Sequence, residues 1–309
     1  MNTEQWLANR FQEHRSHLRT VAYRMLGSLA EADDAVQDTW LRVSQSEAAE
    51  VENMGGWLTT IVTRVCLNML RSRSLRREEP FGMRLPDPVV DRDEEIRPEA
   101  EAVLADSVSL ALLVVLDTLG PDERLAFVLH DMFDLPFDEI AAIVGRSPAS
   151  ARQLASRARR RVQGADIATP DPDRSRQRAV VDAFFLAARQ GDFDALVEVL
   201  DPDVVLRADT GARLPADSAV IRGASAVAGQ ALMFARPAAR LWPARVNGAA
   251  GVVVTVRERP IAVMGFTVSG GKIATIDVIA DPPRIRELTA DFFSSEQTDF
   301  RSEQTDAAG

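Results

Sequence analysis

The 309-residue chain is poor in several reactive or cross-linking residues. Cys66 is the single cysteine, so no intramolecular disulfide and no thiolate metal cluster can form. Histidine occurs three times, as His14, His17 and His130, with no pattern of acids around them that resembles a zinc site. Lysine occurs once, as Lys272, so nearly all positive charge is carried by arginine. No run of about 18 apolar residues is present, which argues against a membrane span. The first fifteen residues, MNTEQWLANRFQEHR, carry charges throughout and lack the apolar stretch of a secretion signal. These absences predict a cytoplasmic protein without a metal or other cofactor.

What is present is a strongly uneven distribution of charge. The net charge of −10 argues, as an average, against nucleic-acid binding. Yet residues 53–77 hold five arginines and no acid, and residues 140–164 hold six arginines and no acid. Between them, residues 78–139 hold 17 acids and four arginines. Phosphate neutralisation is local, so two cationic helices in an acidic chain remain compatible with DNA.

Helical apolar spacing covers residues 4–27 and 30–47, and a third helix is predicted from Trp57 to about residue 77. Asn53 to Gly56 reads as a loop. Residues 78–101 carry Pro80, Gly82, Pro86, Pro88 and Pro98 among many acids and read as a linker. A second helical block spans 102–164. In it Gly145 ends a short helix, Ser147 offers an N-cap and Pro148 opens the last helix, the signature of a helix-turn-helix. Ala151, Leu154, Ala155, Ala158 and Val162 form the apolar arc of that helix. Arg152, Gln153, Ser156, Arg157, Arg159 and Arg160 lie opposite, with no glutamate for i,i+4 pairing. Arginine can contact guanine and glutamine can contact adenine in the major groove. On α3, Arg64, Asn68 and Arg71 recur at i, i+4, i+7 beside the apolar face.

Residues 165–173 read as a second linker. Beyond it a helical stretch, 174–200, gives way to β-like runs at 204–208, 239–246, 251–258, 261–268 and 272–280, with a hairpin turn at Ser269-Gly270-Gly271. Helices followed by an antiparallel meander predict an α+β domain over 174–288. The end repeats SEQTD at 295–299 and 302–306, and a disordered tail is predicted over 289–309.

Three segments together resemble an extracytoplasmic-function sigma factor of the sigma-70 class. They are FQEHRSHLRTVAYRMLGSLAEADDAVQDTWLRV, MGGWLTTIVTRVCLNMLRSRSLRRE and LDTLGPDERLAFVLHDMFDLPFDEIAAIVGRSPASARQLASRARRRV. The resemblance implies two all-α domains, sigma-2 over 1–77 and a helix-turn-helix sigma-4 over 102–164, and two partners, core RNA polymerase and promoter DNA. It assigns polymerase binding to Asp34, Gln37, Asp38, Leu41 and Arg42. Asn53, Arg64, Asn68, Arg71 and Arg73 would contact the minus-ten element. Arg146, Ser150, Arg152, Gln153, Arg157, Arg159 and Arg160 would read or position the minus-thirty-five element. The linker 78–101 would run through the polymerase's RNA-exit and active-site channel.

The C-terminal domain resembles the SnoaL-like branch of the nuclear-transport-factor-two-like fold, a curled sheet closed by helices into a cone. Sigma factors fused to such a domain carry three motifs. The first, Trp-Leu-Pro-Glu-Pro-like, stands here as Arg84-Leu85-Pro86-Asp87-Pro88. The second, Asp-Gly-Gly-Gly-basic, stands as Asp209-Thr210-Gly211-Ala212-Arg213. The third, Asn-Pro-Asp-Lys-Leu-like, stands as Asp281-Pro282-Pro283-Arg284-Ile285. The resemblance implies control of sigma activity in cis, with a free monomer and with a small-molecule ligand of the cone left open. Two alternatives remain at this stage: a cyclase or isomerase using Asp209 or Asp277 as acid/base, and a one-component ligand-sensing repressor.

Overall fold

The computed structural model describes residues 3–45, 51–76, 84–92, 108–165, 167–211, 219–235 and 237–293. The chain divides into two compact units. The first gathers residues 1–80, 98–108 and 112–167; the second gathers 81–97, 109–111 and 168–309.

In the first unit, α1 (Thr3–Leu26), α2 (Leu29–Val43) and α3 (Met54–Arg76) pack on one another. Leu18, Val21, Ala22 and Met25 of α1 and Leu58 and Val62 of α3 are fully excluded from solvent. Burial of each larger side chain contributes about 1.5–3 kcal/mol. A bidentate pair from Arg19 to Asp33, at 2.7 and 3.0 Å, ties α1 to α2. The helix α3 begins earlier than the sequence predicts. Asn53 caps it, its Oδ1 accepting the Gly56 amide at 3.0 Å, so Asn53–Gly56 is a helix start and not an open loop.

The same unit continues through α4 (Leu110–Asp117), α5 (Pro121–Phe127), a π-helical turn (Val128–Met132), α6 (Phe137–Val144) and α7 (Pro148–Gly164). Gly145, at φ 70°, makes the left-handed turn between α6 and α7, and the Ser147 hydroxyl accepts the Ser150 amide. Buried Arg124 joins this block to the first, donating to Asp117 at 2.9 Å and to the Arg24 carbonyl at 3.4 Å.

The second unit begins with β1 (Val90–Arg92), followed by α8 (Arg174–Gln190), α9 (Phe193–Val199), β2 (Leu200–Asp209), β3 (Ala219–Arg222) and α10 (Ala224–Phe234). It ends with β4 (Ala239–Val246), β5 (Ala249–Val256), β6 (Arg259–Ser269), β7 (Lys272–Ile279) and α11 (Pro282–Leu288). The sheet order is β1-β4-β5-β6-β7-β2-β3, open at both edges. This is the SnoaL-like architecture, with three differences from the sequence reading. The β2–β7 pair is parallel, because α10 and three strands intervene between them. The short elements β3 and α10 fall in a stretch where no periodicity stands out. Finally, β1 comes from the stretch read as linker and pairs antiparallel with β4, Val90 opposite Val246.

Two apolar clusters flank the sheet. The inner one, under α8–α10, includes Val181, Phe184, Leu206, Phe266 and Ile276. The outer one joins Val90, Val246, Val253, Val263 and Phe292, with Trp242 and Phe293 against it. Gly265 lies opposite Gly251 in the β5–β6 register and is crowded by Val246, a Cβ there falling 2.9 Å from Val246 Cγ1. The two glycines leave room for the valine that receives β1.

The outer cluster also corrects the tail boundary. Residues 289–293 were expected to be disordered, but Thr289 and Phe292 are buried and Phe292 stacks edge-on against Phe293 at 5.0 Å. The two aromatic rings supply apolar area that the polar residues beyond them lack. The repeated SEQTD segment lies outside the described residues. Phe292→Ala is therefore expected to cost about 3–5 kcal/mol in urea unfolding, the usual range for a buried Phe. A change within about 0.5 kcal/mol, typical of surface sites, would return these residues to the tail.

Candidate nucleic-acid interface and docked linker

The helix α7 buries Ala151, Leu154, Ala155 and Ala158 and exposes Arg152, Gln153, Arg157 and Arg160. Ser150 and Arg159 are half-buried. The sequence shows no acid between 140 and 164, but the fold brings acids to this face from elsewhere. Glu123, in the first turn of α5, accepts Arg157 at 2.8 Å through one oxygen and Arg161 at 3.1 Å through the other. Asp131 accepts Arg159 at 2.6 Å. Asp122 accepts Arg146 at 2.9 Å. Arg152 lies over the Phe137 ring, 5.1 Å from its centre, and makes no ion pair among the described residues. Arg160 likewise has no carboxylate there, reaching only the Ser156 carbonyl at 3.4 Å. The exposed cationic surface is thus narrower than six arginines suggest.

On α3, Arg64, Asn68 and Arg71 are exposed in one line. Arg64 donates to the Ala142 carbonyl of α6 at 3.4 Å, and Arg71 donates to Asp122 at 2.8 Å. Arg73 is turned inward, donating to the Leu26 carbonyl at 3.1 Å and pairing with Glu31. Asn53, as the α3 cap, is exposed but has its Oδ1 engaged. Burial works to raise the Asp122 carboxyl, but hydrogen bonds and attraction from Arg71 and Arg146 outweigh it and hold the group below the ordinary carboxylate range. On α2, Asp34, Gln37, Asp38, Leu41 and Arg42 are all exposed, and Leu41 is 51% exposed, unusual for a leucine in a helix that buries its other face.

In the second unit the three motifs converge. Arg284 donates to Asp87 Oδ1 at 2.7 Å, to Asp209 Oδ2 at 2.5 Å and to the Leu85 carbonyl at 2.6 Å. The Leu85 amide donates to the same Asp209 oxygen at 2.8 Å, and the Gly211 amide to the other at 3.0 Å. Gly211 has φ 75° and a Cβ there would fall 2.6 Å from Asp281 Cγ, so the surviving glycine of its motif is required by the neighbouring one. Desolvation lowers the Arg284 guanidinium, but Asp87 and Asp209 more than compensate and leave it raised. Leu85, Pro86 and Pro88 are buried and Asp281 caps α11, with Pro282 at its first position. Asn247 completes the docking, exchanging hydrogen bonds with Val89 at 2.7 and 2.9 Å. Residues 84–92 are therefore a fixed part of the second unit and not a free linker. Arg213 lies outside the described residues.

Neither carboxylate considered for acid/base chemistry faces the inner cluster. Leu206 and Ile276 point there, so Arg207 and Asp277, one residue on, project from the opposite face. Arg207 donates to Asp277 at 2.6 Å, and burial pushes the Asp277 carboxyl up against that attraction. Asp209 is consumed by the Arg284 knot. Among the described residues, no helix is long and apolar enough to cross a membrane and no cluster of His, Cys, Asp and Glu is arranged for a metal.

A three-helix block followed by a helix-turn-helix block, with a SnoaL-like sheet domain joined to them, defines a sigma-type transcription factor with a fused C-terminal domain. Residues 10–76 match the Sigma-70 region 2 family and residues 109–162 the Sigma-70, region 4 family. The chain belongs to the extracytoplasmic-function (ECF) RNA polymerase sigma factors. It is 37% identical over 287 residues to ECF RNA polymerase sigma factor SigJ of Mycobacterium tuberculosis H37Rv, covering 89% of this chain and 91% of that protein. It is 34% identical to the probable ECF RNA polymerase sigma factor SigI of the same species, covering 91% and 95%. The crystal structure of M. tuberculosis SigJ superposes with a TM-score of 0.71 at 34% identity, over 90% of this chain and 97% of that one.

The Glu123 contacts yield a stability expectation. Arg157 and Arg161 have half-exposed side chains, so solvent screens both pairs. Glu123→Gln should cost less than about 1 kcal/mol in urea unfolding, in keeping with exposed pairs. A loss of several kcal/mol would mean that Glu123 holds the two helical blocks together.

Proposed function

We propose that this chain is the promoter-recognition subunit of a bacterial RNA polymerase, and that its second unit controls it through residues 84–92. The exposed face of α2, with Leu41 at its centre and Asp34, Gln37, Asp38 and Arg42 around it, is the polymerase-docking surface. Arg64, Asn68 and Arg71 of α3 contact the minus-ten element, with Asn53 at the helix start beside it. Arg73 supports α3 from behind and does not reach DNA. Arg152 and Gln153 read base edges of the minus-thirty-five element, while Ser150, Arg146, Arg157, Arg159 and Arg160 position the duplex through phosphates. The free chain is a monomer that acts through polymerase.

The observation that carries the control element is the Arg284 knot. The segment joining the two sigma domains is the same segment that supplies β1 and three acceptors or donors to the second unit. A stretch held in that sheet is not available to thread the polymerase channel, as the sigma resemblance implies it does. Docking and threading then compete. Arg284→Met should release residues 84–92, seen as loss of hydrogen-exchange protection at the Leu85 and Val89 amides, and raise promoter-specific transcript yield with core polymerase several-fold. A fall in yield would mean that docking is needed for initiation and would reverse the sense of control.

The readout assignment has its own test. Arg152 is free of carboxylates and stacked on Phe137, so its guanidinium is oriented but not neutralised. Arg152→Ala should relax base preference at one position of the minus-thirty-five element by about 1–3 kcal/mol. Uniformly weaker binding with unchanged preference would make Arg152 a phosphate contact.

A further inference from the structure

Asp122 occupies an unusual position. One of its oxygens accepts Arg71 of α3 at 2.8 Å and the other accepts Arg146, at the entrance to α7, at 2.9 Å. Four residues from that entrance, the Ala142 carbonyl accepts Arg64 of α3. Two side chains assigned to the minus-ten element and one assigned to the minus-thirty-five element are therefore tied within a single small patch. By their names the two DNA elements lie about 25 base pairs apart, or ~85 Å along the duplex at about 3.4 Å per step. Helices α3 and α7, of 23 and 17 residues, are about 35 and 26 Å long at about 1.5 Å per residue. Even end to end they do not span that separation while Arg71 and Arg146 share one carboxylate.

We infer that Asp122 is a latch that holds the two DNA-reading helices of the free protein together, in a state that cannot engage both promoter elements at once. This rests on the functional reading above. The latch is electrostatic and mostly at the surface: Arg71 and Arg146 have side chains 45% and 52% exposed. Such pairs are weak and screened by salt, which suits a contact that must open. Phosphates are the natural competitors. When DNA engages Arg71 or Arg146, the carboxylate loses its partner, and each element that binds favours release of the other. The neutralising role of Asp122 also lowers the affinity of the free chain for DNA in general, consistent with the acidic balance of the chain.

The test places fluorophores on full-length protein through Leu75→Cys on α3 and Gln163→Cys on α7, both exposed positions. Cys66 is fully buried, with burial pushing its thiol up to about 12, so it does not compete for labelling. The native pair should show high energy transfer at low salt that falls as salt rises. Asp122→Asn should have lost most of that transfer at low salt already, and Asp122→Glu should restore it. Unchanged transfer in Asp122→Asn at every salt concentration would overturn the latch. The native salt titration stands without any variant, and a flat profile there would count equally against it. Promoter-specific initiation by the native protein, assayed in parallel, separates the two ideas. If the native protein initiates but Asp122→Asn stays closed, the latch fails alone. If Asp122→Asn opens but the native protein never initiates with polymerase, the functional reading fails and the latch stands as a structural device.

Discussion

A buried guanidinium must be surrounded by acceptors, and Arg284 meets that demand by gathering chain segments that are far apart in sequence. Asp87 and the Leu85 carbonyl come from one, Asp209 from another, and α11 holds the arginine itself. Removing any partner would leave a charge without compensation, so the three segments are stabilised together or not at all. The rest of the second unit is organised around this: β1 follows Leu85 by a few residues, the outer apolar cluster forms over β1, and Phe292 closes that cluster. Fixing residues 84–92 in this way leaves the two helical blocks joined to a domain that already owns part of their connection.

The first unit shows the opposite use of charge. Its ion pairs are exposed and few-bonded. Asp122, Glu123 and Asp131 meet arginines of α3 and α7 at the surface, where solvent screening keeps each pair weak. The second unit thus uses arginine to lock, and the first uses it in contacts that a polyanion can displace. The family of ECF sigma factors provides the context in which both uses make sense, since a sigma subunit must hold its regulatory contacts until polymerase and promoter compete for them.

Much of this was legible before any coordinates. The apolar spacing of α1, the Gly145, Ser147 and Pro148 punctuation of the helix-turn-helix, and the hairpin at Gly270-Gly271 are local signals, set by propensity and turn geometry over a few residues. The motifs Leu85–Pro88, Asp209–Gly211 and Asp281–Arg284 were visible as motifs, but their meeting was not. Proline and acid content made 84–92 look like linker, because composition reports what a segment can do alone and not what a sheet edge elsewhere will pair with. The start of α3 was misread for a similar reason: Gly55 and Gly56 suggested a loop, while the Asn53 cap made them the first turn of a helix.

The charge pattern marks the division most clearly. Sequence by itself determined that two helices are rich in arginine and free of acid, and that the remainder is acidic. It also determined the order of the elements and the family to which they belong. Only the tertiary structure decided which arginines stay uncompensated, because electrostatic attraction depends on distance in space and not along the chain. Asp122 and Glu123 lie more than twenty residues before α7, yet they neutralise part of its face and leave Arg152 and Arg160 outside any ion pair among the described residues.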